Sequence, residues 1–263
     1  MTSVSLTDDI NNSSVNISIT TMNTLADICA DTSPMGFPNV DPSILSWEHR
    51  KYLLIDEITR CSADFICLQE VDHWEDWFQP QLQQLGYEGY YAKGERHGLV
   101  LAWKKHWSLI REIMAVQLID NASQRALYGV FEYKDKSVLI ITTHLKAKKP
   151  FADIRLQQGQ ALLRIAEQHP MCLLVGDFNA SPDEPVVQLI NGQFESSFKD
   201  QPYTTAKVRE HLTCHTIDYV WYKGMHLTKK INIPPVETLL PHYLPRVDYP
   251  SDHFSLSAEF LLK

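Results

Sequence analysis

The apolar run from Met171 to Val175 stops at Gly176-Asp177-Phe178-Asn179. Five apolar residues are too few for a stable helix and suit a short buried strand. A glycine, an acid and an amide then end it. Such a strand sets two polar side chains at the rim of a sheet, where ligands sit in open α/β folds. Asp and Asn are also common turn residues, so this stretch alone leaves capping and chemistry both open.

The same ending recurs along the chain. Val15, Ile17 and Ile19 alternate with Asn16, Ser18 and Thr20 in a strand that finishes near Asn23. The apolar stretch from Ala63 to Leu68 runs into Gln69-Glu70. A carboxylate there is costly to bury unless it is paired or bound to metal. The strand from Val138 to Thr143 closes on His144, with Lys146, Lys148 and Lys149 just beyond. Asp218 lies near the start of an apolar strand, and Asp252-His253 precede the alternating strand from Phe254 to Phe260. Six strand ends thus carry Asn23, Glu70, His144, Asp177 with Asn179, Asp218, and Asp252-His253, which points to a shared purpose.

Helices are expected between these strands. One runs from Trp47 to Cys61 with Ser46 as N-cap, Leu53, Leu54 and Ile58 inward, and Arg50, Lys51 and Glu57 solvated. Others run from His73 to Leu85, closed by Gly86, and from Phe151 to Gln168 with an apolar stripe. A short one spans Asp183 to Ile190 behind Ser181-Pro182. Tyr87–Ala92, Leu99–Trp103, Ile110–Leu118, Ala126–Tyr133 and Ser137–Thr142 read as strands at hairpin spacing. Cys29 to Ser43 reads as a loop. With 263 residues, 44% hydrophobic content and no repeat or linker, one catalytic domain is expected over residues 15–263, behind a polar, disordered lead over 1–14.

A net charge of −8 argues against a surface that coats nucleic acid. A phosphate-bearing substrate must be met by a local basic patch or a metal. Five cysteines without a C-x-x-C pair read as reduced thiols. The polar start lacks the apolar core of a secretory signal, and no run reaches membrane-spanning length. A cytoplasmic protein without membrane insertion is expected. Three acids and an amide suit a hard divalent cation, Mg²⁺ with Mn²⁺ able to substitute. The chain has no helical H-E-x-x-H, P-loop, G-x-G-x-x-G or G-x-S-x-G. Mg²⁺, two histidines and an Asp-activated water together point to phosphoester hydrolysis.

Leu68-Gln69-Glu70, Thr143-His144-Leu145, Gly176-Asp177-Phe178-Asn179, Ile217-Asp218-Tyr219 and Ser251-Asp252-His253 occur in that order. On these motifs the chain from Val15 to Phe260 resembles the endonuclease/exonuclease/phosphatase superfamily. The resemblance implies an α/β, DNase I-like fold: a four-layer sandwich with two mixed, largely antiparallel sheets face to face and helices outside. Trp47-Glu48-x-Arg50-Lys51, Phe78-Gln79-Pro80, Lys146-Ala147-Lys148 and Pro202-Tyr203-Thr204-Thr205 are similar to the deadenylase-related branch, and most to its nocturnin-like members.

Chemistry and resemblance agree on roles. Glu70 would hold Mg²⁺, with Asn23 orienting a metal water or a phosphate oxygen. Asp177 would activate the attacking water, and Asn179 would contact the phosphate. His144 and His253 would stabilise charge on phosphoryl oxygens. Asp252 or Asp218 would orient His253, and either Asp177 or His253 would be the general base. Lys93, Lys146, Lys148 and Arg209 form a cationic set suited to clustered phosphates. Lys146 shares a face with His144 if the strand runs that far.

The resemblance implies removal of the 2′-phosphate of NADP(H), or else 3′→5′ exonuclease action at the 3′ end of poly(A) RNA. An inactive binding module is the third reading, and every catalytic-type position is filled against it. The compact cation cluster, without an extended basic and aromatic groove, favours the dinucleotide. The chain departs from nocturnin-like members twice. Gly94-Glu95-Arg96-His97-Gly98 replaces a longer loop that lies beside the substrate and ends in Asp-Gly. Ala206 replaces a tryptophan, which would leave less aromatic surface for base stacking.

Overall fold

The computed structural model describes residues 14–34, 36–120, 122–208, 212–240 and 243–262. Almost all of the lead expected over 1–14, and the candidate phosphate ligand Arg209, lie outside the described residues. In chain order the elements are β1 (Val15–Asn23), α1 (Pro42–Leu45), α2 (Trp47–Thr59), β2 (Phe65–Val71), α3 (Gln79–Gln84), β3 (Tyr87–Ala92) and β4 (Gly98–Lys104). Next come β5 (Ser108–Leu109), β6 (Met114–Gln117), β7 (Arg125–Tyr133), β8 (Lys136–His144), α4 (Ala152–Ala166), β9 (Cys172–Asp177) and α5 (Pro185–Asn191). The chain closes with β10 (Glu195–Ser196), β11 (Thr205–Val208), β12 (Leu212–His215), β13 (Asp218–Lys223), β14 (Met225–Lys230) and β15 (Leu256–Leu262).

One sheet has the strand order β14-β15-β1-β2-β4-β3, and the other β10-β13-β9-β8-β7-β5 with β6 also on β7. Ile17, Ile19, Phe65 and Leu101 of the first meet Phe131, Ile140, Val175 and Val220 of the second in one buried cluster. The outer face of the first sheet packs Ile66, Leu68 and Val100 against Leu54 and Ile58 of α2 and Leu82 of α3. The outer face of the second packs Leu139, Ile141 and Leu174 against Leu162 of α4 and Val186 and Ile190 of α5. Helix, sheet, sheet and helix therefore form four layers, because each central strand is apolar on both faces and needs cover on both. Among the described residues no helix is long and apolar enough to cross a membrane, and all five cysteines are free.

Several local expectations change. Arg50 is fully buried, not solvated. Its guanidinium donates to the carbonyls of Thr24, Leu25, Leu45 and Pro250 at 2.8–3.2 Å, tying together loops that no periodicity links. Glu57 is half-buried and accepts from Ser255 Oγ at 2.5 Å. Ser46 stands at the N-cap position, but its hydroxyl donates to Ser43 O and caps nothing. The last part of the loop expected to Ser43 folds into α1, started by Asp41, whose carboxylate accepts from Ser43 N.

The single strand expected over residues 110–118 is two pieces. Leu109 pairs with Phe131 and Met114 with Tyr128, so the stretch between holds more residues than β7 can match. Helix α5 begins at Pro185, which has no N–H to lose at the first helical position. The hairpin β11–β12 escaped the sequence reading because Thr205-Ala206-Lys207-Val208 carries too short a pattern to register.

Candidate active site

Each large sheet is antiparallel except for one central parallel pair, β1 with β2 and β8 with β9. A parallel pair delivers two strand C-termini to one edge. Asn23 comes to lie opposite Gln69, with Glu70 next, and His144 opposite Asp177. Strands β13 and β15 run antiparallel to their neighbours, so their starts reach the same edge. Asp218 stands opposite Asp177, and His253 sits just ahead of β15. The face-to-face stacking then brings both edges together, and Asn23 Nδ2 donates to Asp177 Oδ2 across the sheets at 3.0 Å.

The local backbone is bent to aim these groups. Glu70 has φ +57° within the irregularity that shifts β2 against β4 between Leu68 and Val71. Asn179 has φ +49° and Lys148 φ +79°. Left-handed conformations at non-glycine residues cost about 1–3 kcal/mol each and cluster at functional sites. Gly176, at φ +132°, permits β9 to pass Thr143 so closely that a Cβ would collide with the Thr143 carbonyl.

Asn23 is a hub between carboxylates. Its amide nitrogen donates to Glu70 Oε1 and Asp177 Oδ2, each at 3.0 Å, and its oxygen accepts from Leu25 N. Asn23 therefore bridges the two carboxylates through its amide nitrogen, beside Glu70, the expected cation ligand. Asp177 Oδ1 accepts from Asn179 N at 2.8 Å, and Asn179 Nδ2 donates to Leu145 O. His144 Nε2 lies 3.5 Å and His253 Nε2 3.9 Å from Asp177 Oδ2.

Asp218, not Asp252, orients His253. Nδ1 of His253 is 3.0 Å from both Asp218 carboxylate oxygens, and Thr204 Oγ1 donates to Asp218 at 2.6 Å. Asp252 instead accepts from Lys207 Nζ at 2.6 Å. Beneath the site, Gln69 Nε2 bridges Thr21 of β1 and Thr142 of β8.

The electrostatics follow from burial against these partners. Burial opposes charge on His253, but Asp218, Asp252 and Asp177 outweigh it and push the imidazolium up to about 10. Burial raises the Asp218 carboxyl; His253 opposes this and Asp177 adds to it. Burial also works against charge on Asp252, yet Lys207 and His253 hold it down at about 2. At Glu70, burial is offset by His144, His97 and Asn23, so the carboxyl lies below its ordinary range. The site thus carries carboxylates and a charged histidine side by side at neutral pH.

An open cleft of about 1060 Å³ exposes Glu70, His144, Asp177, Asn179, Asp252 and His253, while Asn23 and Asp218 stand behind it. Lys146 and Lys148 line the same cleft. Lys93 is exposed and lines an adjoining cavity of about 780 Å³ that Lys146 borders as well. Of the expected phosphate ligands, Lys146 and Lys148 thus share the cleft, and Lys146 links it to the cavity that Lys93 lines. Strand β8 ends at His144, so Lys146 does not continue its face. Its backbone is pinned instead: Lys146 N donates to Gln158, and Arg155 donates to the carbonyls of Lys146 and Lys148. Arg155 is itself buried and paired with Glu184 at 2.6 Å.

Lys207 was missed because its partner Asp252 lies 45 residues away, and the roles of Arg155 and Thr204 because their partners sit on other elements. The His-to-Thr204 spacing in Tyr203-Thr204-Thr205…His215-x-x-Asp218 was the one available signal. Ala206 is fully buried in the core. The short loop after β3 places His97 against His144, ring centroids 5.8 Å apart.

A family model described as the Endonuclease/Exonuclease/phosphatase family matches residues 21–253. Nocturnin of Rattus norvegicus is 34% identical over 252 residues, covering 82% of this chain and 59% of the relative. The chain thus spans about three fifths of the curated relative's length. The human Nocturnin catalytic domain, solved with a bound sulfate anion, superimposes with a TM-score of 0.75 at 29% identity over 93% of each chain. ANGEL2, solved as a 2′,3′-cyclic phosphatase with adenosine-2′,3′-vanadate, shares the fold at a TM-score of 0.87. It is 20% identical, with 95% of this chain and 96% of that one covered.

Proposed function

This chain belongs to the endonuclease/exonuclease/phosphatase family, and from that premise we propose that it hydrolyses phosphoester bonds, most specifically the 2′-phosphate of NADP(H). The observation that carries the reading is the convergence of Asp177, His144 and the His253–Asp218 pair on one open cleft. Asp177 accepts the proton of an attacking water, because its Oδ2 is held by Asn23 and lies within 4 Å of both histidines. His253, held charged by its acid neighbours, faces the oxygens on which charge accumulates. Asp218 acts through His253 as a positioning residue. Asn179, lining the cleft, contacts the phosphate.

Glu70 fits a hard divalent cation. Its carboxylate opens on the cleft, lies below its ordinary range, and has no lysine or arginine partner among the described residues. A hard cation that keeps most of its waters requires little more from the protein than such a carboxylate. Bound there, Mg²⁺, or Mn²⁺ in its place, would offset negative charge on the phosphate.

The cleft, at about 1060 Å³, is slightly larger than the usual range for small-molecule sites, about 300–1000 Å³, and suits a dinucleotide with Lys146 and Lys148 at its wall. The adjoining cavity bordered by Lys146 favours a second reading, exonuclease action on a poly(A) 3′ end. Five free thiols support a reducing compartment such as the cytoplasm.

Phosphate release from NADP⁺ and NADPH, measured beside shortening of oligo(A) in Mg²⁺, tests the proposal. Release from the dinucleotide with oligo(A) left intact is expected. Efficient trimming of oligo(A) without action on NADP⁺ would put the exonuclease first, and hydrolysis of neither would overturn both.

A further inference from the structure

The loop that departs from the nocturnin-like pattern brings His97 beside Glu70 and Cys29. The Cys29 Sγ, a Glu70 carboxylate oxygen and a His97 ring nitrogen all lie within 4.8 Å of one another. We propose that Cys29, Glu70 and His97 form a binding site for Zn²⁺, and that zinc competes there with the hard cation for Glu70.

Three lines of argument support the site. The donors are chemically of the zinc kind. Thiolate, imidazole and carboxylate bind Zn²⁺ at about 2.0–2.3 Å, and three protein ligands plus a water complete its tetrahedron. Bonds of that length place ligands roughly 3.5 Å apart, so the present spacing closes on an ion with side-chain shifts on the order of 1 Å. A thiolate also selects Zn²⁺ over Mg²⁺, which takes oxygen ligands.

The backbone that carries the donors is built, not incidental. Cys29 ends a short turn, Asp27–Cys29, whose Ile28 N donates to Asp72 and whose Ile28 O accepts from Arg96 of the His97 loop at 3.4 Å. Just before that turn, Ala26 N donates to Glu70 Oε2 at 3.4 Å. Both segments are therefore fastened to the strand end that supplies the carboxylate. His97 is further oriented by stacking on His144, with the ring planes 25° apart.

The site also stands apart from the charged pairs nearby. The other close group of such donors, Asp177, Asp218 and His253, already spends its nitrogen Nδ1 on Asp218. Among the described residues Cys29 and His97 make no comparable bond to a carboxylate. Both face the cleft, so a solvated ion reaches them.

The test uses the full chain, reduced and stripped of metal. Titration with Zn²⁺ against a chromophoric chelator should show one equivalent bound. Co²⁺ in its place should give the thiolate-to-cobalt charge-transfer absorption in the near ultraviolet. Cys29→Ser should abolish that absorption, and Cys29→Ser and His97→Asn should each weaken Zn²⁺ binding by at least about tenfold, the lower bound seen when even supporting partners of a metal site are lost. Both variants should melt as the parent chain does, and Cys29→Ser should keep its Mg²⁺-supported hydrolysis while losing inhibition by Zn²⁺. His97→Asn, on a separate loop, decides the matter should Cys29→Ser unfold. A cobalt spectrum without thiolate character, or unchanged Zn²⁺ affinity in His97→Asn, would overturn the site. The inhibition clause rests on the proposed hydrolysis, whereas the binding isotherms and spectra do not. A chain that hydrolyses nothing would thus refute that reading and leave this one to be decided.

Discussion

The acids and histidines at the strand ends and the lysines at the rim of the cleft sit at opposite extremes of order. Asn23, Asp177, Asp218 and His253 are buried and joined by hydrogen bonds that cross between sheets. Lys93 and Lys148 are exposed, on loops, and Lys146 is half-buried with its ammonium 5.0 Å from the Phe151 ring. The first region is an outcome of topology: two central parallel pairs must deliver their ends to one edge. The second is held through its backbone: Arg155 and Gln158 fasten residues 146 and 148, and Arg125 donates to the Lys93 carbonyl. On the proposed function, the scaffold would set the chemistry and the loops the selectivity, a division common to enzymes built on rigid sheets.

The largest effect that would break this comparison is at Asp177. Asp177→Ala should lower kcat by about 10²- to 10⁴-fold, the range for a lost acid–base group, with little change in KM. Near-normal turnover would reduce Asp177 to a turn residue. Glu70→Gln should come next, raising the Mg²⁺ concentration for half-maximal activity by about 10–100-fold. Chelation of divalent ions should silence the parent chain, and full activity in excess EDTA would sink the metal role.

The strand-end region was legible because its signal is local. An apolar strand that closes on Glu70, His144 or Asp177 declares itself within six residues, and the order of such endings carried the family resemblance. What was not legible depends on residues distant in sequence. Asp218 and Asp252 were equal candidates to orient His253 until Thr204, just before a hairpin too short to register, and Lys207, on it, took one each. Arg50 reads as a solvated helix residue by spacing, yet four carbonyls from three separate segments surround it. For Lys146 the alternation of β8 gave no guide, because the strand ends at His144 and Gln158 and Arg155 fix the backbone beyond it.

The Lys207–Asp252 pair offers an intermediate effect on stability. Asp252 is held at about 2 in the fold, against about 3.9 in an unfolded chain. A depressed carboxyl stabilises the fold above the unfolded value, and the contribution is lost as pH falls through 4 toward 2. At about 1.4 kcal/mol per unit, the depressed carboxyl, held by Lys207 and His253 together, is worth on the order of 2 kcal/mol at neutral pH. Urea unfolding of the parent chain and of Asp252→Asn should differ by roughly that amount at pH 6 and converge near pH 2. A difference independent of pH would mean that Asp252 contributes through packing instead.

The smallest effect is the sharpest test of how the basic rim is divided. Lys146 borders both the cleft and the adjoining cavity, and its backbone is fixed on both sides by Gln158 and Arg155. A half-buried ammonium so placed makes charge-assisted contacts to phosphate worth about 1.5–3 kcal/mol, so Lys146→Ala should raise KM for NADP⁺ by roughly tenfold or more and leave kcat within a few fold. Lys93 is exposed and lines the adjoining cavity alone, where solvent screens its charge. Lys93→Ala should change KM for NADP⁺ by no more than about twofold. The two variants measured side by side on NADP⁺ and on oligo(A) separate the substrates as well. On a dinucleotide confined to the cleft, only Lys146 matters. On a strand that runs on into the adjoining cavity, both lysines meet phosphates, and the two losses in KM should become comparable. Equal effects on NADP⁺ itself would mean that the dinucleotide spans both cavities, and the division drawn between Lys146 and Lys93 would fall.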